Sequence, residues 1–587
     1  MSPGPQGSGV DTPPAVLVCT LSRRGKLLVG EPYFDPRTPV VVDRKTVGDA
    51  RAGDLVLVST GRGRARLERV LGPSTAIEAV LEALLLHTGA RPAFGRDPDA
   101  EREAEALPSD PARGEPGRVD LRSLLAFTID PDEAKDFDDA ITVVREGDGL
   151  RVYVHIADVA GSVGAGSALD RDAAERALSV YVPGLVEPML PERLSSGLCS
   201  LVPGRERHCV TVEVPFGGGL EPGEALFYRS VIRSRGRLTY SRAEAILAGR
   251  ERGEAALTEA LRLANEVSAE LRRRRFRRGA LRIESREVAF AFDGEGGVDR
   301  AWIEKEPAAH ALVEELMILA NEAVASLLAA RRREALFRVH ERPDPQSVQL
   351  LLAKLEALEV PTPPMPEHLM PGDAARLAAR VSGRVGEYAA QAGRGHEAFA
   401  TLVLRSLKQA RYDPRNLGHS GLASRAYCHF TSPIRRYPDV ICHRALLREL
   451  GLSDDPLPGD LPELAEWTSV REREATEVEY AADAICLAWL LERRLYDLGW
   501  DACFAGEVTG AIGSGLFVRF DSVFEGYLPA RRLPGDYFEL DPLATALVGR
   551  RHGRRYRLGD PIEVTVEGID RVAGKVNLAL CENFPSR

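Results

Sequence analysis

The chain has 587 residues, enough for several domains, and its 44% apolar and 28% charged side chains describe a globular protein with a large core. A formal net charge of −10 excludes a global basic field, so any nucleic-acid site must be a local groove or patch. The longest apolar helical stretch, HALVEELMILANEAVASLLAA, carries Glu314, Glu315, Asn321 and Glu322, which excludes a membrane span.

Residues 1–14, MSPGPQGSGVDTPP, have no basic start followed by an apolar core and read as a disordered tail, not a secretory signal. From 15 to about 75, short alternating runs separated by Gly and Pro predict a small five-stranded barrel of the oligonucleotide-binding (OB) type. Residues 76–118 read as a helix, STAIEAVLEALLLHTG, and then a polar, proline-rich linker. The region 119–500 is mixed, with strands and short helices first and mostly helix from Pro307. Its arginine run LRRRRFRRG, 271–279, reads as a solvated helix end. Residues 501–587 return to alternating strands, a second barrel. There Phe504, Phe517 and Tyr527 are read as exposed faces for stacking unpaired bases, beside the arginine-rich GRRHGRRYRLG. The expected fold class is α+β and multidomain, a central mixed α/β domain flanked by small OB-type β-barrels. The eight cysteines show neither a C-x-x-C pair nor zinc-ligand spacing, so reduced thiols in the cytosol are expected.

The stretch FTIDPDEAKDFDDAITVV, 127–144, crowds Asp130, Asp132, Glu133, Asp136, Asp138 and Asp139 around a single cation, Lys135. Like charges this close repel by about 1 kcal/mol per pair even in water. A solvated acidic loop is the ordinary outcome of such a run. This one is pinned between apolar strands, and the spacing of Asp130, Asp136, Asp138 and Asp139 can wrap oxygens around a hard cation such as magnesium. The Gly and Glu that an EF-hand requires are missing, so a metal-dependent phosphoryl-transfer site fits better. Further on, YCHFTSPIRRYPDVICHRALL, 427–447, reads as a helix capped by Ser432 with Pro433 at its first position. That would set Arg435 and Arg436 in the first turn, suited to a phosphate diester. One anionic and one cationic motif supply the two halves of a phosphodiesterase site.

The motifs TIDPDEAKDFDDA, VYVHIADVA, SVYVPGLVEPMLPERLSSGLCSLVP, LVEELMILAN and GHSGLASRAYCHFTSPIRRYPDVICHRALL resemble the catalytic (RNB) domain of the ribonuclease II and ribonuclease R family, over about residues 119–500. The terminal segment resembles the S-one type RNA-binding barrel. The N-terminal one is similar to the second of the family's two cold-shock barrels. Only one such barrel fits before the linker, a departure from the family pattern, and a winged helix is the alternative there.

The resemblance implies a processive 3′-to-5′ exoribonuclease that hydrolyses single-stranded RNA with a free 3′ end to nucleoside 5′-monophosphates. It implies a cytoplasmic monomer, off the membrane, that uses Mg2+, with Mn2+ as a substitute. Asp130 and Asp139 would hold the firmly bound ion, and Asp136 and Asp138 the second, with Asp138 the most directly catalytic. Arg435 would contact the scissile phosphate, with Arg436 as second candidate. Tyr181 would stack on the terminal base and set the length of the last product, with Phe337 as a second aromatic. Glu479 would contact the nucleotide, with Glu477 and Glu472 as rivals. Asp132 and Glu133 are read as solvated, and His155, His429 and His443 as structural. Two other readings compete. A non-catalytic RNA-binding protein on the same fold would need a broken acid quartet, and an endonuclease or DNase would use the same metal chemistry.

Overall fold

A computed structural model describes residues 15–581 apart from 62, 111–116, 284–286, 295, 305–306 and 367. The expected tail, 1–14, lies outside the described residues. Alternating apolar residues build five antiparallel strands, Ala15–Arg24, Leu27–Pro32, Val40–Val42, Asp54–Thr60 and Arg66–Pro73. The third and fifth are the edges, and they meet: Ala65 N–H donates to Val41 O and Asp43 N–H to Ala65 O, both at 2.8 Å. The sheet thus curls around Cys19, Leu21, Val42, Val56 and Val58. Among the described residues between 15 and 73, the helical ones are the single turn Arg44–Thr46, too little for the winged-helix alternative.

The stretch read as linker contains a helix. Asp97 caps the helix Pro98–Ala106, whose Ala100 and Ala104 are buried one turn apart. Arg96 is buried against Asp172 and the carbonyls of Pro188 and Met189. Two alanines make too thin an apolar stripe to stand out among the charges of DAEREAEA.

The central sheet is built from strands whose buried apolar residues run together in the first and alternate with polar ones in the last: Ala126–Asp130, Asp139–Glu146, Gly149–Ala157, Glu206–Phe216 and Leu226–Thr239. The last strand has 14 residues and serves two partners. Its first half pairs antiparallel with Glu206–Phe216 and its second half pairs parallel with Ala126–Asp130, so the sheet closes on itself. Helices Ala255–Arg278, Pro307–Ala330 and Tyr437–Glu449 contribute to the same core. Among the described residues, no helix is long and apolar enough to cross a membrane.

A second core joins parts far apart in the chain. It unites Val18, Leu55 and Leu57 of the first sheet, the helix Ile77–His87, the 38-residue helix Leu461–Leu498 and the terminal barrel. That barrel is closed by Cys503–Ile512, Gly515–Phe520, Phe524–Pro529, Lys575–Leu580 and Pro561–Asp570, with a small sheet, Phe538–Leu540, Ala546–Gly549 and Arg555–Arg557, inserted. Its last hairpin presses on the long helix at Gly574, where φ is +62° and a Cβ would fall 2.7 Å from the Ala484 backbone. Ion pairs Arg394–Asp560 (2.7 Å) and Arg519–Glu397 (2.8 Å) seal the seam. One expectation fails in this barrel: Cys503 and Cys581 form a disulfide, Cα to Cα 6.1 Å, because strand register unites residues that are 78 positions apart.

One buried pair fixes the helix that follows the arginine motif. Asp170 Oδ1 accepts from Arg444 Nη2 (2.7 Å) and from the Tyr437 hydroxyl (2.9 Å), and Arg444 is 1% exposed. Asp170→Ala leaves that guanidinium buried and unpaired, and should lower stability by about 3–5 kcal/mol. A denaturant titration should show the midpoint falling accordingly; an unchanged midpoint would contradict this account.

Candidate active site

The acidic loop is held at both ends and in the middle. Asp130 closes one strand and Asp139 opens the next. Between them Phe137 is buried, its N–H donating to Ser200 Oγ (3.0 Å) while that hydroxyl donates to Lys135 O (2.7 Å). Arg237 covers the Phe137 ring and donates to the carbonyls of Pro131 and Asp132. Asp132 and Glu133 are exposed, as read.

The arginine motif does not start a helix at Pro433. The helix begins at Tyr437, with Pro438 in its first turn and Arg436 extended before it. Ser432–Arg436 is instead a tight turn in which Arg435 and Arg436 N–H both return to Ser432 O. Asp439 enforces this, since its Oδ1 accepts from Ser432 N–H and Arg436 Nη2, each at 2.8 Å. Arg436 is therefore engaged in holding the turn. Arg435 is held by Ser432 Oγ and Asp138, yet its side chain is 47% exposed.

Asp138 joins the two motifs. Its Oδ1 accepts the Ile434 N–H at 2.7 Å, and its Oδ2 lies 3.3 Å from Arg435 Nε. Burial pushes its carboxyl well above the usual range, against the pull of Arg435. Asp138 Oδ2 and Asp130 Oδ2 are both buried without a hydrogen-bond donor. Asp138 Oδ2 thus has only its ion pair with Arg435, and buried carboxylate oxygens left in this way are of the kind that a hard cation takes.

The third component is the hairpin Val180–Val182 and Leu185–Glu187. The backbone before it pairs with the arginine turn, Ser179 N–H donating to Arg435 O (2.9 Å) and Tyr437 N–H to Ala177 O (2.8 Å). Ala177 holds a strained φ of +65° to do so. The Tyr181 hydroxyl then donates to Asp136 Oδ2 at 2.6 Å, and its N–H to Glu479 Oε1 at 3.0 Å. So Asp130, Asp136, Asp138, Asp139, Arg435, Tyr181 and Glu479 converge. Of the rivals to Glu479, Glu472 is paired with Arg338, and Glu477 is exposed.

Two aromatic expectations fail. Phe337 is 3% exposed in the central core, and Phe504 is 9% exposed against Phe520, so neither ring is available to a base. Phe517 does face out, 37% exposed, with Tyr527 5.5 Å away. The arginine run 271–279 is occupied: Arg273, Arg274 and Arg277 pair with Glu270, Arg275 with Glu315, and Arg278 with Glu322. The histidines are structural. His155 bonds Thr211 and Thr142, His429 bonds Tyr412, and His443 bonds Phe430 O.

Sequence reasoning missed Tyr240, Asn321 and Asp483. Tyr240 follows Thr239, which pairs with Asp130, and it stacks flat on His310 at 3.8 Å. Burial, then Asp139 and Asp130, raise its phenol. Asn321 takes the Phe430 N–H (2.9 Å) and donates to the Tyr427 hydroxyl (3.1 Å), bracing the arginine segment from behind. Asp483, one turn beyond Glu479, is pushed up to about 7 by burial and then by Glu479 and Glu287.

The RNB domain model matches residues 118–451. The chain is 37% identical over 492 residues to Ribonuclease R of Escherichia coli, covering 80% of this chain and 58% of that protein. To Ribonuclease R of Aquifex aeolicus it is 36% identical over 494 residues, covering 82% and 68%. The structure of Mycoplasma genitalium RNase R, solved in complex with ribose methylated single-stranded RNA, superposes with a TM-score of 0.84 at 25% identity, covering 97% of this chain and 90% of that one. The chain thus spans under three fifths of the length of the E. coli relative.

In the absence of a cation, burial is the first cause that pushes Asp139 up to about 7 and Asp130 up to about 6. A carboxyl with a raised folded value binds its proton more tightly in the native state than in the unfolded one. That stabilisation is present at low pH and is lost as pH rises toward 7. In chelator, Asp139→Asn should therefore melt higher than the parent chain, with the gap widening from about pH 4 to about pH 7 and then levelling. A gap that is constant with pH would refute the assignment.

Proposed function

We propose that this chain, which belongs to the RNB-domain family, is a 3′-to-5′ exoribonuclease releasing nucleoside 5′-monophosphates from single-stranded RNA, as a cytoplasmic monomer. The observation that carries the reading is the convergence of an intact acid quartet with Arg435 across Asp138. A non-catalytic RNA binder would have no reason to keep four acids packed at this electrostatic cost.

Asp130, Asp136, Asp138 and Asp139 would hold Mg2+, with Mn2+ able to replace it. When bound, such ions supply an activated water and neutralise charge on the departing 3′ oxygen. The rest is work for the chain's own groups. Arg435, half exposed and aligned by Ser432 Oγ at 3.1 Å, positions the scissile phosphate and balances its charge. Asp138 keeps that guanidinium aimed. Tyr181, fixed at its hydroxyl by Asp136 and at its backbone by Glu479, offers its ring to the terminal base, so the acids and the stacking platform keep one spacing. Phe517 and Tyr527 on the terminal barrel give incoming RNA a stacking surface.

Asp138→Asn keeps the shape and removes one negative charge. Hydrolysis should fall at least a hundredfold, from the roughly 2.7–4 kcal/mol typical of one preorganised stabiliser, while RNA binding persists or tightens. Single-turnover cleavage beside equilibrium binding decides this, and near-normal cleavage by the variant would place the chemistry elsewhere. With 5′-labelled RNA the parent chain should shorten the substrate stepwise, whereas early internal cuts would favour an endonuclease. Phe517→Ala with Tyr527→Ala should weaken binding of long RNA by about 1–3 kcal/mol per stacked base, measured by fluorescence anisotropy; unaltered affinity would remove that surface from the RNA path.

A further inference from the structure

The cysteines divide into two classes. Cys19, Cys199, Cys209, Cys428, Cys442 and Cys486 are buried and form no disulfide, although the Cys442 thiol donates to Cys428 Sγ at 3.2 Å. Burial pushes the thiols of Cys19 and Cys199 up to about 12, so these groups are inert toward exchange. Cys503 and Cys581 are different. Cys503 is exposed where the first strand of the terminal barrel begins, and Cys581 directly follows the last. Their bond crosses over the strand Pro561–Asp570 that lies between them.

The bond sits where it can govern the barrel. The last strand, Lys575–Leu580, pairs its backbone with Phe524–Pro529 at a single register, Tyr527 opposite Asn577, and otherwise with its hairpin partner, while Val576 and Leu578 are buried in the second core. Tyr527 is the ring that pairs with exposed Phe517. A strand anchored on one side by so little backbone pairing depends on what holds its far end.

We propose that Cys503–Cys581 is a reversible redox staple on the terminal barrel. Closed, it fixes the last strand and, through Tyr527, the aromatic pair; open, it lets that strand fray and weakens the grip on RNA. The RNA part rests on the reading of this barrel given above. The exchange needs a low-molecular-weight disulfide as oxidant. The Cys503 thiolate attacks it and expels one thiolate. The Cys581 thiolate then attacks the mixed disulfide at the Cys503 sulfur and expels the second. Two protein thiols lose two protons and two electrons, and one small disulfide becomes two thiols.

A carboxylate oxygen of Glu563 lies within 4.8 Å of both sulfurs, so the reduced trio is also a ligand set for a thiophilic ion. The test separates these. The full chain is equilibrated with oxidised glutathione or with dithiothreitol. Then the Cys503–Cys581 peptide is quantified after non-reducing digestion, zinc by elemental analysis, barrel cleavage by limited proteolysis, and RNA affinity by anisotropy. The expected results are a linked peptide only in the oxidised sample, no stoichiometric zinc in the reduced one, and slower proteolysis with roughly tenfold tighter binding on oxidation, the scale of one stacked base. Cys503→Ser and Cys581→Ser should behave as the reduced protein under both conditions. Failure to form the linked peptide, or stoichiometric zinc that blocks it, overturns the staple, as does proteolysis that ignores redox state. Proteolysis that responds while affinity does not keeps the staple and overturns the RNA-binding reading of the barrel.

Discussion

A buried carboxylate has to find partners, and the search by Asp138 organises the middle of this molecule. Its interaction with Ile434 N–H and Arg435 joins residues 296 positions apart. Each remaining feature of the region keeps those partners in place. Asp439 shapes the turn, the strained backbone at Ala177 zips alongside it, and Asn321 braces the segment that leads in. Removing water from a carboxylate without such partners would cost several kcal/mol. The fold therefore cannot form around this site loosely.

The same logic explains why the acids are not simply an acidic surface. Phe137 in their midst is drawn into the core, and Arg237 and Ser200 tie down its neighbours. Asp132 and Glu133, on the outward side, escape into solvent. Six acids of one short run thus meet opposite fates because one aromatic residue sets the phase of the loop. The inward set meets Arg435 through Asp138 and Tyr181 through Asp136.

Much of this was legible in residue types alone. Carboxylates locked between apolar strands are costly unless something neutralises them, and paired arginines after Ser-Pro answer that need, so both motifs announced themselves. What stayed hidden was phase and register. Phe504 and Phe517 look alike locally, yet one strand turns its ring inward and the other outward. Phe337 looked available because an isolated aromatic before Arg338 gives no sign of which face is wet. The helix start was placed one turn too early because Pro433 and Pro438 are equally good initiators until Asp439 is seen to claim Ser432. Tyr240 could not be found without knowing that Thr239 lies beside Asp130. The disulfide was invisible for the same reason, being a product of strand order and not of spacing along the chain.

The second core has a consequence for how the molecule is made. It holds Val18 and Leu57 in one buried cluster with Leu578, a residue far along the chain from both. During translation the strands of the first sheet and the helix Ile77–His87 must wait, with part of their apolar surface uncovered, until the helix Leu461–Leu498 has left the ribosome. The barrel is thus less an appendage than a keystone. A nascent chain carries an open hydrophobic seat until the long helix and the barrel arrive to cover it.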